Sequence, residues 1–302
     1  MRLLLLGASG FLGSHIVRAA EPLPDIDLVR HTRRGEVGPG VELDLAAAGS
    51  DQLRELLERV RPDVVVNAVG ATGSDPEMLA ALNVGVIELL LAALQGMLAS
   101  VRLVTFGSAA EYGPTPAGEP IDETRPARPV SAYGRTKLAG TRLVVEARDD
   151  GRVDGVVLRV FNPLGAGMPA STLAGSAARQ LRSAIASGEA AIRLGPLGDY
   201  RDFVDARDVA DAVLAVAQSG HLDDPILNVG SGVAVRSRDL VEQLADLAGF
   251  RGEVLEDNAV PERSGAVHWQ QAATGRLRRI GWERRRTLRD SLMSLWHGGA
   301  GT

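Results

Sequence analysis

The stretch Leu3-Leu4-Leu5-Leu6-Gly7-Ala8-Ser9-Gly10-Phe11-Leu12-Gly13 joins four apolar residues to three glycines at a spacing of three. An apolar run that ends at glycine predicts a buried strand turning sharply into a helix. Glycines at such a turn let the backbone approach a pyrophosphate, whose charge meets the helix N-terminus. The spacing is GxxGxxG rather than GxGxxG, and a glycine-rich turn without a ligand is the alternative. The residues expected around the pyrophosphate are Gly7, Ser9, Gly10, Phe11, Leu12 and Gly13.

The composition is that of an ordinary globular protein of 302 residues, with 45% hydrophobic and 24% charged residues. This length allows two domains, or one large α/β domain with an appended lobe. The net charge of −5 disfavours nonspecific nucleic-acid binding, and the lack of cysteine excludes disulfides, thiolate catalysis and Cys-ligated zinc. The N-terminal apolar run is too short for a signal peptide or a membrane span. We therefore expect a cytoplasmic protein without membrane or nucleic-acid partners.

Short leucine-rich or β-branched runs alternate with longer periodic segments over the first 160 residues. This alternation is typical of βαβ units that build a parallel sheet. The predicted strands are Arg2–Leu6, Asp27–Arg33, Asp63–Asn67, Val101–Phe106 and Val153–Arg159. The predicted helices are Phe11–Ala20, Asp51–Val60, Pro76–Leu94 and Val130–Ala147. Beyond residue 160 the alternation loosens, which predicts a smaller lobe interleaved with the last strands of the sheet.

The second predicted strand ends in His31-Thr32-Arg33-Arg34, where dinucleotide-binding folds usually carry an acidic residue for the adenosine ribose. A guanidinium suits a 2′-phosphate, so Arg33 and Arg34 favour NADP(H) as the cofactor. Two solvated surface arginines are the alternative interpretation. Asp44 and Leu45 follow the next extended stretch and are expected at the adenine edge, although Asp44 could also be a helix N-terminal carboxylate.

A tyrosine and a lysine stand four residues apart in Ser131-Ala132-Tyr133-Gly134-Arg135-Thr136-Lys137, which opens a predicted helix. At this spacing both side chains lie on one helical face. The ammonium stabilises the phenolate, which makes Tyr133 a usable acid or base near neutral pH. Ser108 stands at the carboxyl end of a predicted strand, the edge where open α/β sheets bind ligands. The sequence therefore predicts a catalytic set of Ser108, Tyr133 and Lys137.

With these features in this order, the chain resembles the extended short-chain dehydrogenases/reductases nearly from end to end. Further similar segments are Asn67-Ala68, Asn83, Tyr112-Gly113, Arg159-Val160-Phe161-Asn162-Pro163 and Arg201-Asp202-Phe203-Val204-Asp205. The resemblance implies a Rossmann-type α/β fold, with a doubly wound parallel sheet and a smaller C-terminal α/β lobe. Residues 1–160 would bind NADP(H), and residues 161–302 would mainly form the substrate lobe. The resemblance also implies that Ala68, Asn83, Tyr133 and Lys137 bind the cofactor.

The resemblance assigns a role to each member of the catalytic set. Tyr133 would donate the proton, Lys137 would hold the nicotinamide ribose and tune the tyrosine, and Ser108 would hydrogen-bond the reacting oxygen. Members with an Arg-Asp-Phe-Val-Asp segment usually act on nucleotide-activated sugars. The implied substrate-binding residues are Ser108, Asn162, Arg179, Arg201 and Arg263. The family also implies a homodimer formed through the Tyr133 helix and the long helix before it.

Within the family, the second half of the chain is most similar to GDP-4-keto-6-deoxymannose reductases and related 4-ketohexose reductases. Nucleotide-sugar dehydratases of this fold carry acidic residues at the positions of Ala109 and Ala110, and alanine can act neither as acid nor as base. Glu111 is displaced by one residue and is expected to point elsewhere. The resemblance thus implies NADPH-dependent reduction of a 4-keto group on a dTDP- or GDP-activated 6-deoxyhexose. An NAD-dependent 4-epimerase and a non-catalytic NADP(H)-sensing regulator are the alternatives.

The remaining polar and aromatic features predict no further chemistry. The five histidines show no HxH or HExxH spacing, and we expect no metal. A cluster of seven arginines between residues 276 and 289 is interpreted as a solvated face. The three tryptophans are interpreted as core or interface anchors.

Overall fold

A computed structural model describes residues 1–32, 40–73, 75–95, 97, 100–257 and 267–298. The strands are β1 (Arg2–Leu6), β2 (Asp27–Thr32), β3 (Gly40–Glu42), β4 (Val64–Asn67), β5 (Arg102–Ser108), β6 (Asp154–Val160), β7 (Pro163–Leu164), β8 (Ala191–Leu194), β9 (Tyr200–Asp202), β10 (Val204–Asp205), β11 (Ile226–Val229), β12 (Ala234–Arg236) and β13 (Glu253–Glu256). The helices are α1 (Phe11–Ala20), α2 (Ser50–Val60), α3 (Pro76–Ala80), α4 (Val86–Leu94), α5 (Ala132–Asp149), α6 (Leu173–Ser187), α7 (Ala206–Gln218), α8 (Ser237–Leu247), α9 (Gly275–Arg279) and α10 (Leu288–His297).

A seven-stranded parallel sheet runs through the centre, in the order β3-β2-β1-β4-β5-β6-β11. Its inner strands are apolar on both faces because helices cover both sides: all of β4 is buried, as are the four leucines of β1. One core packs α1 and α7 on one face, and a second core packs α2 and α4 on the other. The prediction of a doubly wound Rossmann-type sheet is confirmed.

The strand order reverses at β1, which pairs with β2 on one side and β4 on the other. The connections that follow β1 and β4 run to opposite faces of the sheet, so a crevice opens at the carboxyl ends of these two strands. Gly7 follows β1 and Ala68 follows β4, so both lie at this crevice.

One continuous helical stretch covers Pro76–Leu94, with α3 and α4 joined by a π-helical turn at Ala81–Gly85. By its length and apolar composition alone, this stretch could cross a membrane. In the fold, α4 packs against α2 and α5 beside the sheet. Core helices of globular proteins share this composition, so the helix is weak evidence for a membrane span.

The later part of the chain forms a third core from α6, α8, α10 and the strand β8. The described residues of this region form three two-stranded sheets: β7 with β10, β9 with β12, and β8 with β13. Part of this region returns to the central sheet, because β11 pairs with β6 and α9 packs on β11. The division into a cofactor domain of residues 1–160 and a substrate lobe of residues 161–302 stays a prediction.

Element boundaries differ from the sequence-based ones at two places that matter for the site. The ladder between β5 and β6 continues to the pair Ser108 and Val160, so Ser108 is the last strand residue rather than a loop residue. Helix α5 begins at Ala132 instead of Val130, since the Ser131 hydroxyl accepts a hydrogen bond from the Gly134 amide at 3.1 Å and caps the helix.

Candidate active site

The turn after β1 is shaped by glycine. Gly7 has φ +76°, and the Gly10 amide donates to its carbonyl oxygen at 3.1 Å. A Cβ atom on Gly13 would lie 2.0 Å from that same oxygen, so a larger residue does not fit. Among the described residues, no side chain caps α1, and its first turn carries no acidic residue. The free amides there can meet an anion.

The loops after β1 and β4 touch each other through their backbones. A Cβ atom on Gly7 would lie 3.0 Å from the carbonyl carbon of Ala68 and from the amide nitrogen of Val69. Ser9 and Gly10 are exposed, whereas Phe11 and Leu12 are half-buried. The two loops present mainly backbone atoms at the point where the strand order reverses. Such a surface fits the pyrophosphate of a dinucleotide.

The end of β2 is tied to the glycine loop, because the Ala8 amide donates to the His31 carbonyl oxygen at 3.3 Å. His31 itself is buried, with Nε2 2.7 Å from the Leu43 carbonyl oxygen, and burial lowers its pKa. Arg33 and Arg34, the predicted 2′-phosphate ligands, lie outside the described residues.

Asp44 and Leu45 occupy a turn rather than a helix start. The exposed Asp44 carboxylate accepts a hydrogen bond from the Ala46 amide at 3.1 Å, and α2 begins six residues later, at Ser50. The helix N-terminal interpretation of Asp44 is therefore wrong. The Leu45 side chain is buried in the core beside α2, so a ligand can meet Leu45 through its backbone.

Ser108 is half-buried at the carboxyl end of β5, with extended backbone angles. Its Oγ accepts a hydrogen bond from the Ala110 amide at 3.2 Å. A serine hydroxyl has a single proton to donate, and accepting at Oγ leaves that proton for another oxygen.

The first turn of α5 lies directly against the segment that follows Ser108. A Cβ atom on Gly134 would be 2.6 Å from the Ala110 carbonyl oxygen. Tyr133 is half-buried and Lys137 is 9% exposed, one turn apart on this helix. The fold thus brings the strand end with Ser108 and the helix with Tyr133 and Lys137 side by side.

Asn83 lies in the π-helical turn, and its side chain is bound within the protein. Its Oδ1 accepts from the Ala71 amide at 3.0 Å, and its Nδ2 donates to the Ala71 carbonyl oxygen and to Thr136 Oγ1, each at 3.1 Å. Thr136 Oγ1 in turn donates to the Tyr133 carbonyl oxygen at 3.0 Å. Both amide protons of Asn83 are used, so it braces the loop after β4 against the Tyr133 helix.

A buried ion pair lies beneath Ser108. Glu111 Oε1 accepts from the Ser108 amide at 2.7 Å, and Glu111 Oε2 accepts from Arg159 Nε at 2.7 Å. The Arg159 guanidinium also lies 4.7 Å from the centre of the Tyr112 ring, and the Tyr112 hydroxyl donates to Asn228 Oδ1 at 2.7 Å. Burial raises the pKa of Tyr112 to about 12.

Sequence reasoning missed this pair, although it placed Glu111 correctly away from the dehydratase positions. The available signal was Arg159, a charged residue inside an apolar strand that is buried on both faces. A charge in that setting needs a counter-ion nearby. Glu111 is that counter-ion.

Asn162 and Gln270 connect the later part of the chain to the Ser108 segment. Asn162 Nδ2 donates to the Asp202 carbonyl oxygen at 2.9 Å and to Gln270 Oε1 at 3.4 Å. Gln270 Nε2 donates to the Ala109 carbonyl oxygen at 3.2 Å. The Asn162 side chain is therefore held close to the residue that follows Ser108.

The Arg201 guanidinium is buried and bound by the protein itself. It donates to Asp199 Oδ2 at 3.0 Å and to the Val267 carbonyl oxygen at 2.7 Å, and burial lowers its pKa. Arg179 is exposed on α6, and Arg263 lies outside the described residues. Of the predicted substrate-binding residues, Ser108 and Asn162 are the two with contacts that place them at one location.

Asp202, beside Arg201, holds three backbone segments together. Its buried carboxylate accepts from the amides of Ser231, Gly232 and Ala272 at 2.6 to 2.9 Å. Burial raises its pKa, and these hydrogen bonds oppose that shift. This anchor fixes the loops on which Asn162 and Gln270 depend.

The basic cluster near the C-terminus is less solvated than expected. Arg276 contacts Asp224 at 3.1 Å, and Arg286 contacts Asp208 at 2.8 Å, so part of the cluster holds the last segments to the sheet layer. Trp282 is buried and donates to the Asp208 carbonyl oxygen at 2.9 Å. Across the described ranges, no group of three or more His, Asp or Glu side chains could hold a metal ion.

A sequence profile of the NAD dependent epimerase/dehydratase family matches residues 3–230, which include the glycine loop, Ser108 and the Tyr133 helix. The chain belongs to this family. This confirms the resemblance to the nucleotide-sugar branch of the extended short-chain dehydrogenases/reductases and makes the protein an NAD(P)-dependent short-chain oxidoreductase.

Individual relatives cover almost the whole chain. A dTDP-6-deoxy-L-talose 4-dehydrogenase (NAD(P)(+)) of Kitasatospora kifunensis is 39% identical, over 98% of this chain and 94% of the relative. A GDP-6-deoxy-D-mannose reductase of Pseudomonas aeruginosa is 29% identical, over 97% and 95%. The structure of RMD from Pseudomonas aeruginosa with NADPH superimposes with a TM-score of 0.83 at 27% identity, over 99% of each chain.

Proposed function

We propose that the protein is an NADP(H)-dependent reductase of the 4-keto group of a dTDP- or GDP-activated 4-keto-6-deoxyhexose. The observation that carries the proposal is the contact of Gly134 with Ala110, which sets the Tyr133 helix against the strand that ends at Ser108. The Kitasatospora relative is named for oxidation at C4 of a dTDP-6-deoxyhexose, and ketone reduction is the same reaction in the opposite direction.

The glycine loop and the loop at Ala68 would hold the dinucleotide, which supplies hydride to the carbonyl carbon when bound. The Ser108 hydroxyl donates a hydrogen bond to the carbonyl oxygen, where negative charge develops. The Tyr133 phenol transfers its proton to that oxygen, giving the alcohol and a phenolate. The Lys137 ammonium stabilises the phenolate until solvent returns the proton.

The residues after Ser108 favour reduction over dehydration. Dehydration of a hexose needs one protein side chain that acts as an acid and another that acts as a base towards the sugar. Ala109 and Ala110 can do neither. Glu111 is turned away into its pair with Arg159, so its carboxylate is not available to a substrate.

NADP(H) is proposed over NAD because Arg33 and Arg34 end the stretch where an acidic residue would select a plain ribose. For the nucleotide sugar we propose Asn162, Arg179, Arg201 and Arg263 as binding residues. Arg201 would have to exchange its contacts with Asp199 and Val267 for a diphosphate oxygen.

A homodimer is proposed through the Pro76–Leu94 helix and α5. The helix keeps apolar side chains at its surface, among them Met78, which is 52% exposed. Light scattering on the purified protein measures the assembly, and a monomer at micromolar concentration would contradict the dimer. Cytoplasmic localisation stays a prediction.

The test of the function is NADPH oxidation by the purified protein with dTDP- and GDP-4-keto-6-deoxyhexoses, with the configuration of the product at C4 read by NMR. We expect stoichiometric NADPH consumption with at least one of these sugars. Tyr133→Phe should lower kcat by about two orders of magnitude or more while leaving NADPH binding largely intact. Full activity of this variant would refute the assignment of the acid.

The family name also covers epimerases, and the same assay separates the two activities. A 4-epimerase would interconvert sugar nucleotides with a tightly held NAD and no net NADPH consumption. Binding of NADP(H) with no turnover of any 4-keto sugar nucleotide would instead identify a non-catalytic sensor.

A further inference from the structure

We infer that Glu111 is a positioning residue for ketone reduction: with Arg159 as its buried counter-ion, it fixes the backbone of Ser108 and thereby the direction of the Ser108 hydroxyl. The inference rests on the proposed function, since it assigns Ser108 as the donor to the substrate oxygen. It concerns residues that do not touch the substrate.

Ser108 is held at two points by the short helical turn Ala109–Glu111 that follows it. Glu111 Oε1 accepts the Ser108 amide proton at 2.7 Å, and Ser108 Oγ accepts the Ala110 amide proton at 3.2 Å. These reciprocal bonds fix both the backbone and the hydroxyl oxygen of one residue. Because Oγ acts as the acceptor towards the turn, the hydroxyl proton can be donated to an oxygen outside it.

Arg159 fixes the carboxylate in turn. Its Nε donates to Glu111 Oε2 at 2.7 Å, so each carboxylate oxygen has its own donor and the group cannot rotate freely. The Glu111 side chain is 0% exposed and that of Arg159 is 4% exposed. Burial opposes the charge of Arg159, yet the Glu111 carboxylate raises its pKa above the ordinary value.

The space for the carboxylate exists because residue 107 is glycine. A Cβ atom on Gly107 would lie 2.6 Å from Glu111 Oε1 and 2.9 Å from Arg159 Cγ. Gly107 and Arg159 are also direct neighbours in the ladder between β5 and β6. Gly107, Glu111 and Arg159 therefore form one unit immediately beneath Ser108.

Stability does not require such a pair. Removing two charges from water is costly, and apolar residues of similar volume can replace a buried ion pair without loss of stability. An oriented donor beside a developing oxyanion, in contrast, accelerates a reaction because it needs no rearrangement during the reaction. Glu111, one member of the pair, accepts a hydrogen bond from the Ser108 amide. This contact indicates that the pair serves to orient the Ser108 donor.

The test compares two double variants that both remove the ion pair and differ in one acceptor. Glu111→Gln with Arg159→Met keeps an oxygen for the Ser108 amide, and Glu111→Met with Arg159→Met does not. We expect the second to lower kcat by about 10- to 100-fold with unchanged KM and NADPH affinity. The Gln variant should recover most of that loss.

The same change in a Ser108→Ala background separates positioning from general structure. If Glu111 acts through the Ser108 hydroxyl, then Glu111→Met with Arg159→Met costs no further kcat once the hydroxyl is absent. Equal kcat in the two double variants, or an undiminished loss in the Ser108→Ala background, would overturn the inference. Thermal melts of all variants report whether they fold.

A spectroscopic readout keeps the inference testable apart from turnover. The amide proton of Ser108, observed by NMR with serine labelled with nitrogen-15, should lie downfield in the wild type and in the Gln variant, and move upfield in the Met variant. An unchanged resonance would refute the contact. If the wild type reduces none of the keto sugars, the proposed function fails, and the amide resonance still decides the Glu111 contact.

Discussion

Gly134 lies so close to Ala110 that a Cβ atom on the glycine would be 2.6 Å from the Ala110 carbonyl oxygen. This contact sets the distance between the start of α5 and the end of β5. Gly134→Ala should push the Tyr133 helix away from Ser108 and lower kcat/KM for the keto sugar by about tenfold or more. Steady-state NADPH oxidation measures the change.

The control for this variant is Gly275→Ala in α9, where a Cβ atom would meet nothing within 4 Å. It should leave kcat/KM unchanged. A Gly134→Ala variant as active as the wild type would mean that the helix position does not limit the reaction.

Gly13→Ala should disrupt the cofactor loop, because the added Cβ would lie 2.0 Å from the Gly7 carbonyl oxygen. We expect NADPH binding by calorimetric titration to be weaker by about tenfold or more, since an overpacking energy of about 1–3 kcal/mol must be relieved by moving the loop. Gly198→Ala, at an exposed glycine with open space around it, is the matched control. Unaltered affinity in Gly13→Ala would contradict a rigid phosphate loop.

Replacing both Arg33 and Arg34 by alanine should change the preference between cofactors. A 2′-phosphate that loses charge-assisted hydrogen bonds should bind about tenfold more weakly, whereas NADH affinity should change by less than about threefold. Arg59→Ala, at an exposed arginine of α2, controls for general charge. A loss of equal size for NADPH and NADH would exclude a 2′-phosphate site at these residues.

His15 should make stability depend on pH. Burial lowers its pKa below the ordinary 6.5, so the unfolded chain binds the proton more tightly. The stability that the neutral imidazole contributes is complete above pH 6.5 and is lost as the pH falls through the lowered pKa. Urea unfolding at about pH 7.5 and about pH 5 should show a smaller decrease for His15→Gln than for the wild type.

The pH control is His221→Gln, because the His221 side chain is 83% exposed. This variant should lose as much stability between the two pH values as the wild type does. His31 is also buried and has a lowered pKa, so it contributes a loss of stability in the same direction, which His15→Gln leaves in place. An identical decrease in His15→Gln and wild type would show that His15 does not sense pH.

The sheet and the cofactor loop could be predicted because their signals are local. The run Leu3–Leu6 and the glycines after it describe a buried strand and a tight turn without reference to distant residues. Likewise, Tyr133 and Lys137 share a helix face by spacing alone. Phe11–Ala20 matches the observed α1 at both ends.

Arg159 alone indicates that a counter-ion is needed, but the identity of its partner in the Glu111 and Arg159 pair could not be predicted, because that contact is not local. Its partners are 48 residues apart and meet because β5 and β6 pair in the register of Gly107 with Arg159. Arg201 has the same difficulty, since its partner at Val267 is 66 residues away. The sequence could suggest that Arg201 binds the substrate. It could not show that groups of the protein already occupy its guanidinium.

The strand β11 reaches the sheet from residues 226–229, after the chain has passed through α6 and α7. During synthesis, therefore, β6 emerges from the ribosome long before its outer neighbour exists. Until about 66 more residues have been translated, from Val160 to Ile226, its unpaired amides and carbonyl groups form an exposed sheet edge that can pair with other chains. Truncation before residue 226 would make that exposure permanent, and such fragments should aggregate.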